Sequence, residues 1–261
     1  MKLKSTDTER NMKILEFGDK SKRKLILIHG FQSPWQVWGK YIEHYKNDFH
    51  VIVPIISGHN PEIKENFISL SKDAKELEDY IITNYGERVY GIFGMSMGGV
   101  LAATLWQNKR LKIEKVIFDG SPLLSLNSFM KNFTRNFYLK VTHKTQQRDK
   151  KTLEQASSIC PEEYMDIFVK LLDNMSDATI EKCLDSIADF KLKTDIDSPD
   201  TKAYFFHGTA MNEMFAKKSA KYVKKHYPET VVKCFKGKAH CENSLFDPEY
   251  MITELDKILL N

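Results

Sequence analysis

Short apolar segments recur along this chain of 261 residues, and segments long enough to form a helix separate them. Six of these runs are rich in β-branched and aromatic residues and show little alternation, which predicts strands buried on both faces of a parallel sheet. A seventh run, residues 12–17, is more typical of an edge strand. The six predicted buried strands are residues 24–28, 50–55, 89–93, 115–118, 203–206 and 230–235.

Helical periodicity appears between these strands. Because strands that alternate with helices form a sheet covered on both faces, we predict an α/β fold with a doubly wound, mostly parallel sheet. The predicted helices of this core are residues 35–46, 67–85, 97–107, 215–226 and 248–260.

One long stretch interrupts the alternation. Residues 121–199 are almost entirely helical in pattern, with helices expected at residues 153–157, 161–174 and 178–190. We therefore divide the chain into an α/β core of residues 1–120 and 200–261 and an inserted helical cap of residues 121–199. Open α/β sheets bind ligands at the carboxyl ends of their strands, so the cap is expected to cover a site there.

The composition excludes several classes of protein. Hydrophobic residues make up 42% of the chain and charged residues 28%, which excludes a disordered chain and a bundle of membrane helices. The 39 Lys and Arg are interleaved with 35 Asp and Glu, and a net charge of +4 gives no reason to expect nucleic acid or a membrane as partner. No group of residues has metal-ligand spacing, so no metal and no organic cofactor are expected.

The cysteines and the first residues favour a cytoplasmic protein. The four cysteines include no CxxC pair, which in a domain of this size indicates reduced thiols. Residues 1–20 are polar throughout and lack the apolar stretch of a signal peptide. The sequence gives no indication of the oligomeric state.

The most informative segment is VYGIFGMSMGGVLAA, residues 89–103, in which a GxSxG motif separates a strand from a helix. A sharp strand-to-helix turn would hold Ser96 in a strained conformation and expose its hydroxyl above the sheet. Gly94 and Gly98 must then be small, because side chains two residues before and after the serine would collide. We predict Ser96 to be a catalytic nucleophile, against the alternative of an ordinary glycine-rich turn.

Two further segments supply the partners that such a serine needs. The strand LILI is followed by His29, Gly30 and Phe31, so that the Phe31 and Met97 N–H groups could form a two-donor oxyanion hole. His29 itself is expected to be part of the scaffold. His240 follows the last strand, where it could act as the general base for Ser96, a position that the other seven histidines do not share.

These motifs resemble those of the α/β-hydrolase superfamily. The resemblance rests on HGF (29–31), SGHN (57–60), GMSMGG (94–99) and KAHCE (238–242), and it extends over residues 13–121 and 201–258. It implies a serine hydrolase with a catalytic triad in the chain order nucleophile, acid, histidine.

The resemblance leaves the triad acid open between two residues. Family members commonly carry an Asp about three residues after the glycine that ends the preceding strand, but Met211 stands there in this chain. Glu213 is the nearest carboxylate and is preferred. Asp119, directly after the predicted strand of residues 115–118, is the alternative, because some family members carry the acid at the end of that strand.

The expected activity is cleavage of a carboxylic ester or related acyl bond through an acyl-enzyme on Ser96. The substrate is expected to be a small acyl compound with an apolar moiety, because the cap is rich in aromatic and Leu residues. The alternatives are a lyase or acyltransferase on the same fold, or a binding or signalling module without efficient chemistry. Aromatic residues that could line an acyl pocket, if they are not simply core, are Trp35, Trp38, Phe129, Phe133, Phe137, Tyr138 and Tyr164.

Overall fold

The computed structural model describes residues 12–261 of the chain. Residues 1–11, which include the start of the predicted core and most of the segment considered for a signal peptide, lie outside the described residues. In the described part, seven strands form one sheet in the order β1-β3-β2-β4-β5-β6-β7. The strands are β1 (Lys13–Phe17), β2 (Lys24–Ile28), β3 (His50–Ile55), β4 (Arg88–Met95), β5 (Lys112–Asp119), β6 (Lys202–Gly208) and β7 (Val231–Phe235).

The strand directions confirm the predicted sheet. β1 pairs antiparallel with β3 at one edge, as expected of an edge strand, and β2 to β7 are parallel. One prediction is wrong: β7 is not buried on both faces, because Val231 is 54% exposed and Val232 is 37% exposed. In the part of the chain that the structure describes, β7 is the last strand in the sheet and has a neighbour on one side only.

Helices cover both faces of the sheet, which confirms the doubly wound fold. One apolar layer includes residues of α2 (Leu70–Tyr85), α3 (Met97–Asn108) and α8 (Met214–His226), and the other includes residues of α1 (Gly39–Tyr45) and α10 (Pro248–Leu259). The short helix α9 (Glu242–Phe246) precedes α10 in the chain. Local chemistry sets the helix ends: at the start of α2, the Ser69 hydroxyl accepts a hydrogen bond from the Lys72 N–H at 3.1 Å.

Residues 121–199, between β5 and β6, form a segment that we call the helical segment. It contains α4 (Ser128–Gln146), α5 (Lys150–Ala156), α6 (Met165–Asn174) and α7 (Asp177–Asp189) and has an apolar cluster of its own. The three expected helices correspond to α5, α6 and α7, whereas α4, the longest helix of the segment, was not predicted individually. The Asn174 amide donates to the Pro61 carbonyl at 2.7 Å, which connects the segment to the loop after β3.

The parallel strands bring the predicted site residues to one edge of the sheet. Phe31 follows β2, Ser96 follows β4 and His240 follows β7, and all three therefore lie at the carboxyl end of the sheet. The chain passes from β2 outward to β3 and then returns to β4 on the other side of β2. Such a reversal of strand order opens a crevice between neighbouring loops, which is where ligands bind in sheets of this kind.

Candidate active site

Ser96 occupies a strained turn between β4 and α3. Its backbone has φ 53° and ψ −115°, a left-handed conformation that costs a residue other than glycine about 1–3 kcal/mol. The Ser96 N–H donates to the Asp119 carbonyl at 2.8 Å, which fixes the turn to the end of β5. The predicted strand–turn–helix geometry is therefore present, with the serine at the apex.

The two glycines of the GxSxG motif are required by close backbone packing. A Cβ atom on Gly94 would lie 2.6 Å from the Gly99 Cα, and one on Gly98 would lie 2.5 Å from the His29 carbonyl oxygen. Both distances are too short for any side chain, and the obstructing atoms belong to the backbone. Gly94 and Gly98 therefore allow α3 to begin directly against the ends of β2 and β4.

A continuous chain of hydrogen bonds joins three of the predicted site residues. The Ser96 Oγ lies 2.9 Å from the His240 Nε2, and the His240 Nδ1 lies 2.5 Å from the Glu213 Oε1. His240 is partly exposed, whereas Glu213 is buried. If the Nδ1 proton is donated to Glu213, the Nε2 atom is free to accept the serine proton.

Glu213 is fixed by the backbone around it. Its Oε2 accepts a hydrogen bond from the Gly208 N–H at 2.7 Å, at the end of β6. The Thr209 and Ala210 N–H groups both donate to the Lys238 carbonyl at 3.0 Å. These two bonds connect the loop that carries the acid to the loop that carries His240, so the pair approaches in a defined geometry.

Asp119, the alternative acid, lies nearby but contacts a different group. Its Oδ2 accepts a hydrogen bond from the Ser244 hydroxyl at 2.6 Å, and no hydrogen bond joins its carboxyl to His240 among the described residues. Burial, with a smaller contribution from the charge of Glu213, raises the pKa of Asp119 to about 7, although the hydrogen bond from Ser244 and the nearby His240 act to lower it. The structure thus places Glu213, and not Asp119, against the imidazole.

The loop after β2 lies beside Ser96. A Cβ atom on Gly30 would lie 3.4 Å from the Ser96 Cβ, so the next residue, Phe31, is close to the serine. Within residues 12–261, neither the Phe31 N–H nor the Met97 N–H has a hydrogen-bond acceptor. Both groups are therefore available to a ligand, as an oxyanion hole requires.

His29 supports this loop, as the sequence suggested. Its Nε2 accepts a hydrogen bond from the Ile56 N–H at 3.1 Å, so the proton is on Nδ1, which donates to the Gly30 carbonyl at 2.9 Å. Burial lowers the pKa of His29 to about 4, which keeps the ring neutral. His59, whose pKa burial lowers to about 3, packs 5.3 Å from the His29 ring and also contacts Phe31.

The sequence did not indicate how the helical segment meets this loop. The ring of Tyr138, on α4, packs edge-on against the Phe31 ring with centroids 5.3 Å apart. Burial, with a smaller contribution from Cys241, raises the pKa of Tyr138, and Cys241 is the neighbour of His240 in the chain. Of the other aromatic residues considered for a pocket, Trp38 is core, and three on α4 are exposed, namely Phe129, Phe133 and Phe137.

The described residues contain neither a candidate metal centre nor a candidate membrane-spanning helix. No group of three or more His, Cys, Asp or Glu residues is arranged to hold a metal ion within residues 12–261. Over the same range, no helix is both long enough and apolar enough to cross a membrane.

Comparison with known families agrees with the fold. The family model described as alpha/beta hydrolase fold matches residues 24–159, more than half of the chain. The chain therefore belongs to the α/β-hydrolase family. No curated protein matches it in sequence.

Solved structures of similar fold cover nearly the whole chain. An α/β-hydrolase family protein from Desulfitobacterium hafniense has a TM-score of 0.77 and 18% identity, over 95% of this chain and 100% of the other. A carboxylesterase structure from Nitrososphaera gargenis has a TM-score of 0.73 and 15% identity, over 95% and 94%. An esterase from Exiguobacterium antarcticum has a TM-score of 0.73 and 15% identity, over 96% of each chain. Identities this low establish a shared fold.

Proposed function

We propose that this protein is a serine hydrolase that cleaves a carboxylic ester or a related acyl bond through an acyl-enzyme on Ser96. The observation that supports this most strongly is the hydrogen-bonded chain from the Ser96 hydroxyl through His240 to the buried Glu213. Such a chain activates a hydroxyl that is a weak nucleophile on its own.

In this mechanism the reaction begins when Ser96 attacks the acyl carbonyl. The His240 Nε2 takes the serine proton and passes it to the departing alcohol, and water then attacks the acyl-enzyme with the same imidazole as base. Glu213 holds the ring in the tautomer that accepts at Nε2 and stabilises the imidazolium that forms. Because Glu213 is buried, its charge acts on the ring with little screening by water.

The negative charge of the tetrahedral intermediate needs hydrogen-bond donors beside Ser96. The Phe31 and Met97 N–H groups fill this role, since both lie next to the serine and neither has an acceptor among the described residues. Met97 is also the first residue of α3, so the positive end of the helix dipole adds to the stabilisation.

For the substrate we propose a small ester with an apolar acyl group, taken between the sheet edge and the helical segment acting as a cap. The rings of Phe31 and Tyr138 lie beside the oxyanion loop and would contact such a group. We place the reaction in the cytoplasm, because the four cysteines are free thiols and three of them are buried, as suits a reducing compartment.

Covalent labelling tests the proposed function directly. After incubation with a fluorophosphonate, intact-mass spectrometry should show one adduct on the wild type and none on Ser96→Ala. Hydrolysis of p-nitrophenyl acetate, butyrate and octanoate should be lost in the same variant. Folded wild-type protein that neither acquires the adduct nor cleaves any of these esters would exclude the serine-hydrolase mechanism.

A further inference from the structure

The loop that carries the Phe31 N–H contains a second strained residue. The Ser33 N–H donates to the Gly30 carbonyl at 3.3 Å, which closes a four-residue turn. Gln32, the third residue of this turn, has φ 53°. A positive φ at that position normally requires glycine, and for glutamine it persists only where the surrounding structure enforces it.

A hydrogen bond that Gln32 donates to the helical segment is placed to supply that enforcement. The Gln32 Nε2 donates to the Thr142 Oγ1 at 2.7 Å, over a separation of 110 residues. Thr142 lies on α4 and is fully buried, and its hydroxyl donates in turn to the Tyr138 carbonyl at 2.7 Å. The hydroxyl therefore has a fixed direction, with its proton on the helix and its lone pair facing Gln32.

The preceding turn of α4 contacts Phe31, the loop residue next to Gln32. Tyr138 packs edge-on against Phe31, one helical turn before Thr142. Phe31 is thus held through its ring, and Gln32 is held through its amide, by adjacent positions of one helix. No other hydrogen bond of the Gln32 side chain is present within residues 12–261.

We propose that α4 holds the oxyanion loop in its working conformation, and that Thr142 and Gln32 are positioning residues for the Phe31 N–H. This inference rests on the proposed function, because it concerns the oxyanion donor of that reaction. Without the Thr142 hydroxyl, Gln32 relaxes toward negative φ, the turn from Gly30 to Ser33 changes shape, and the Phe31 N–H within it moves from its place beside Ser96.

The expected kinetic signature is specific. A donor to the oxyanion acts in the transition state and little in the ground state, so its misplacement lowers kcat and leaves KM nearly unchanged. Small displacements of catalytic groups are known to cost up to about a hundredfold in rate.

Thr142→Val is the test, because valine keeps the shape of threonine and removes the hydroxyl. We expect kcat for p-nitrophenyl butyrate to fall at least about tenfold with KM within about twofold of wild type. Thr142→Ser should restore most of kcat. Thr145→Val is the matched control: Thr145 is buried on the same helix and its hydroxyl donates to the Val141 carbonyl at 3.0 Å, but no hydrogen bond joins it to the loop within residues 12–261.

Substitutions of Gln32 separate the effect of its hydrogen bond to Thr142, which we call the anchor, from the effect of its strained positive φ. Gln32→Ala removes the anchor and keeps the strain, so kcat should fall as in Thr142→Val. Gln32→Gly removes both, because glycine adopts positive φ freely, and it should retain most of the wild-type kcat. In the Gln32→Gly background, Thr142→Val should have no further effect on kcat.

The possible outcomes distinguish this inference from the proposed function. Equal kcat in Thr142→Val and Thr145→Val, or in Gln32→Ala and Gln32→Gly, overturns the inference while the hydrolase assignment stands. A wild-type protein that shows neither esterase activity nor fluorophosphonate labelling contradicts both the inference and the proposed function. If Thr142→Val does not fold, the comparison of Gln32→Ala with Gln32→Gly decides alone.

Discussion

Two carboxyl groups lie close to His240, and their surroundings give them different properties. Glu213 accepts hydrogen bonds on both oxygens, from the His240 ring and from the Gly208 N–H. Asp119 accepts one from the Ser244 hydroxyl, and its burial raises its pKa to about 7. A carboxyl that is partly protonated near neutral pH is a poor partner for an imidazolium, so the charge that supports catalysis is expected on Glu213.

Glu213→Gln is therefore expected to lower kcat by about a thousandfold to ten-thousandfold, because an amide cannot stabilise the imidazolium and can hold the wrong ring tautomer. Asp119→Asn is expected to keep kcat within a few fold, since the amide oxygen can still accept from Ser244. Both variants would be assayed with p-nitrophenyl butyrate after circular dichroism has shown that they are folded. The opposite ranking of the two variants would identify Asp119 as the acid.

At the scale of elements, the sequence predicted most of the sheet because its strands are apolar, short and bounded by turns. It predicted a helical stretch over residues 121–199 but did not identify α4 individually; this helix carries Asn132, Thr134, Asn136, Val141 and Thr142. These residues have low helix propensity, and the tertiary contacts of α4 with α7 and with the loop after β2 outweigh it. The contacts between α4 and the oxyanion loop were unpredictable for the same reason, because they join residues more than a hundred positions apart.

The exposure of β7 could not be predicted either. Its residues, VVKCF, have the same composition as a buried strand, and its edge position follows from the order of strands in the sheet. The sequence could not decide between Glu213 and Asp119 for a similar reason, because both residues lie at the carboxyl ends of strands at the same edge of the sheet. Composition identifies a strand or a candidate acid, whereas pairing and loop geometry decide its surroundings.

Two matched substitutions test the position of β7. Val231→Thr should change the free energy of unfolding by less than about 0.5 kcal/mol, because this side chain is 54% exposed. Val53→Thr, in the buried strand β3, should lower it by about 1–3 kcal/mol, because the new hydroxyl would be buried without a partner. Urea unfolding of both variants would measure the difference, and equal losses would place β7 inside the sheet or under another chain.

On the scale of the whole molecule, the candidate site exists only when the complete core is assembled. Ser96 and His240 are 144 residues apart in sequence, and the parallel sheet brings their loops to one edge. Assembly also buries ionisable groups that the unfolded chain exposes to water. Burial raises the pKa values of Asp73 and Asp119 to about 7 and lowers those of His29 and His59 to about 4 and 3. The free energy of unfolding must therefore depend on pH, because these four groups have different pKa values in the folded and unfolded chain.

Asp119→Asn isolates one of these contributions. The ordinary pKa of 3.8 rises to about 7 in the folded state, so the protonated carboxyl is the form that folding favours. Its contribution to stability is fully present below about pH 4 and is lost as the pH rises toward 7.

The asparagine variant carries no such group and keeps the acceptor for Ser244. The difference between the two free energies of unfolding, variant minus wild type, should therefore increase by up to about 1.4 kcal/mol for each pH unit between about pH 4 and 7. Above about pH 7 it should stay constant. Asp73, His29 and His59 titrate in both proteins, so their contributions cancel in the difference. Urea unfolding of both proteins at pH 5, 6, 7 and 8 would measure it. A difference that stays constant over this range would mean that the carboxyl of Asp119 is ionised throughout, and that a positive charge or further donors compensate for its burial.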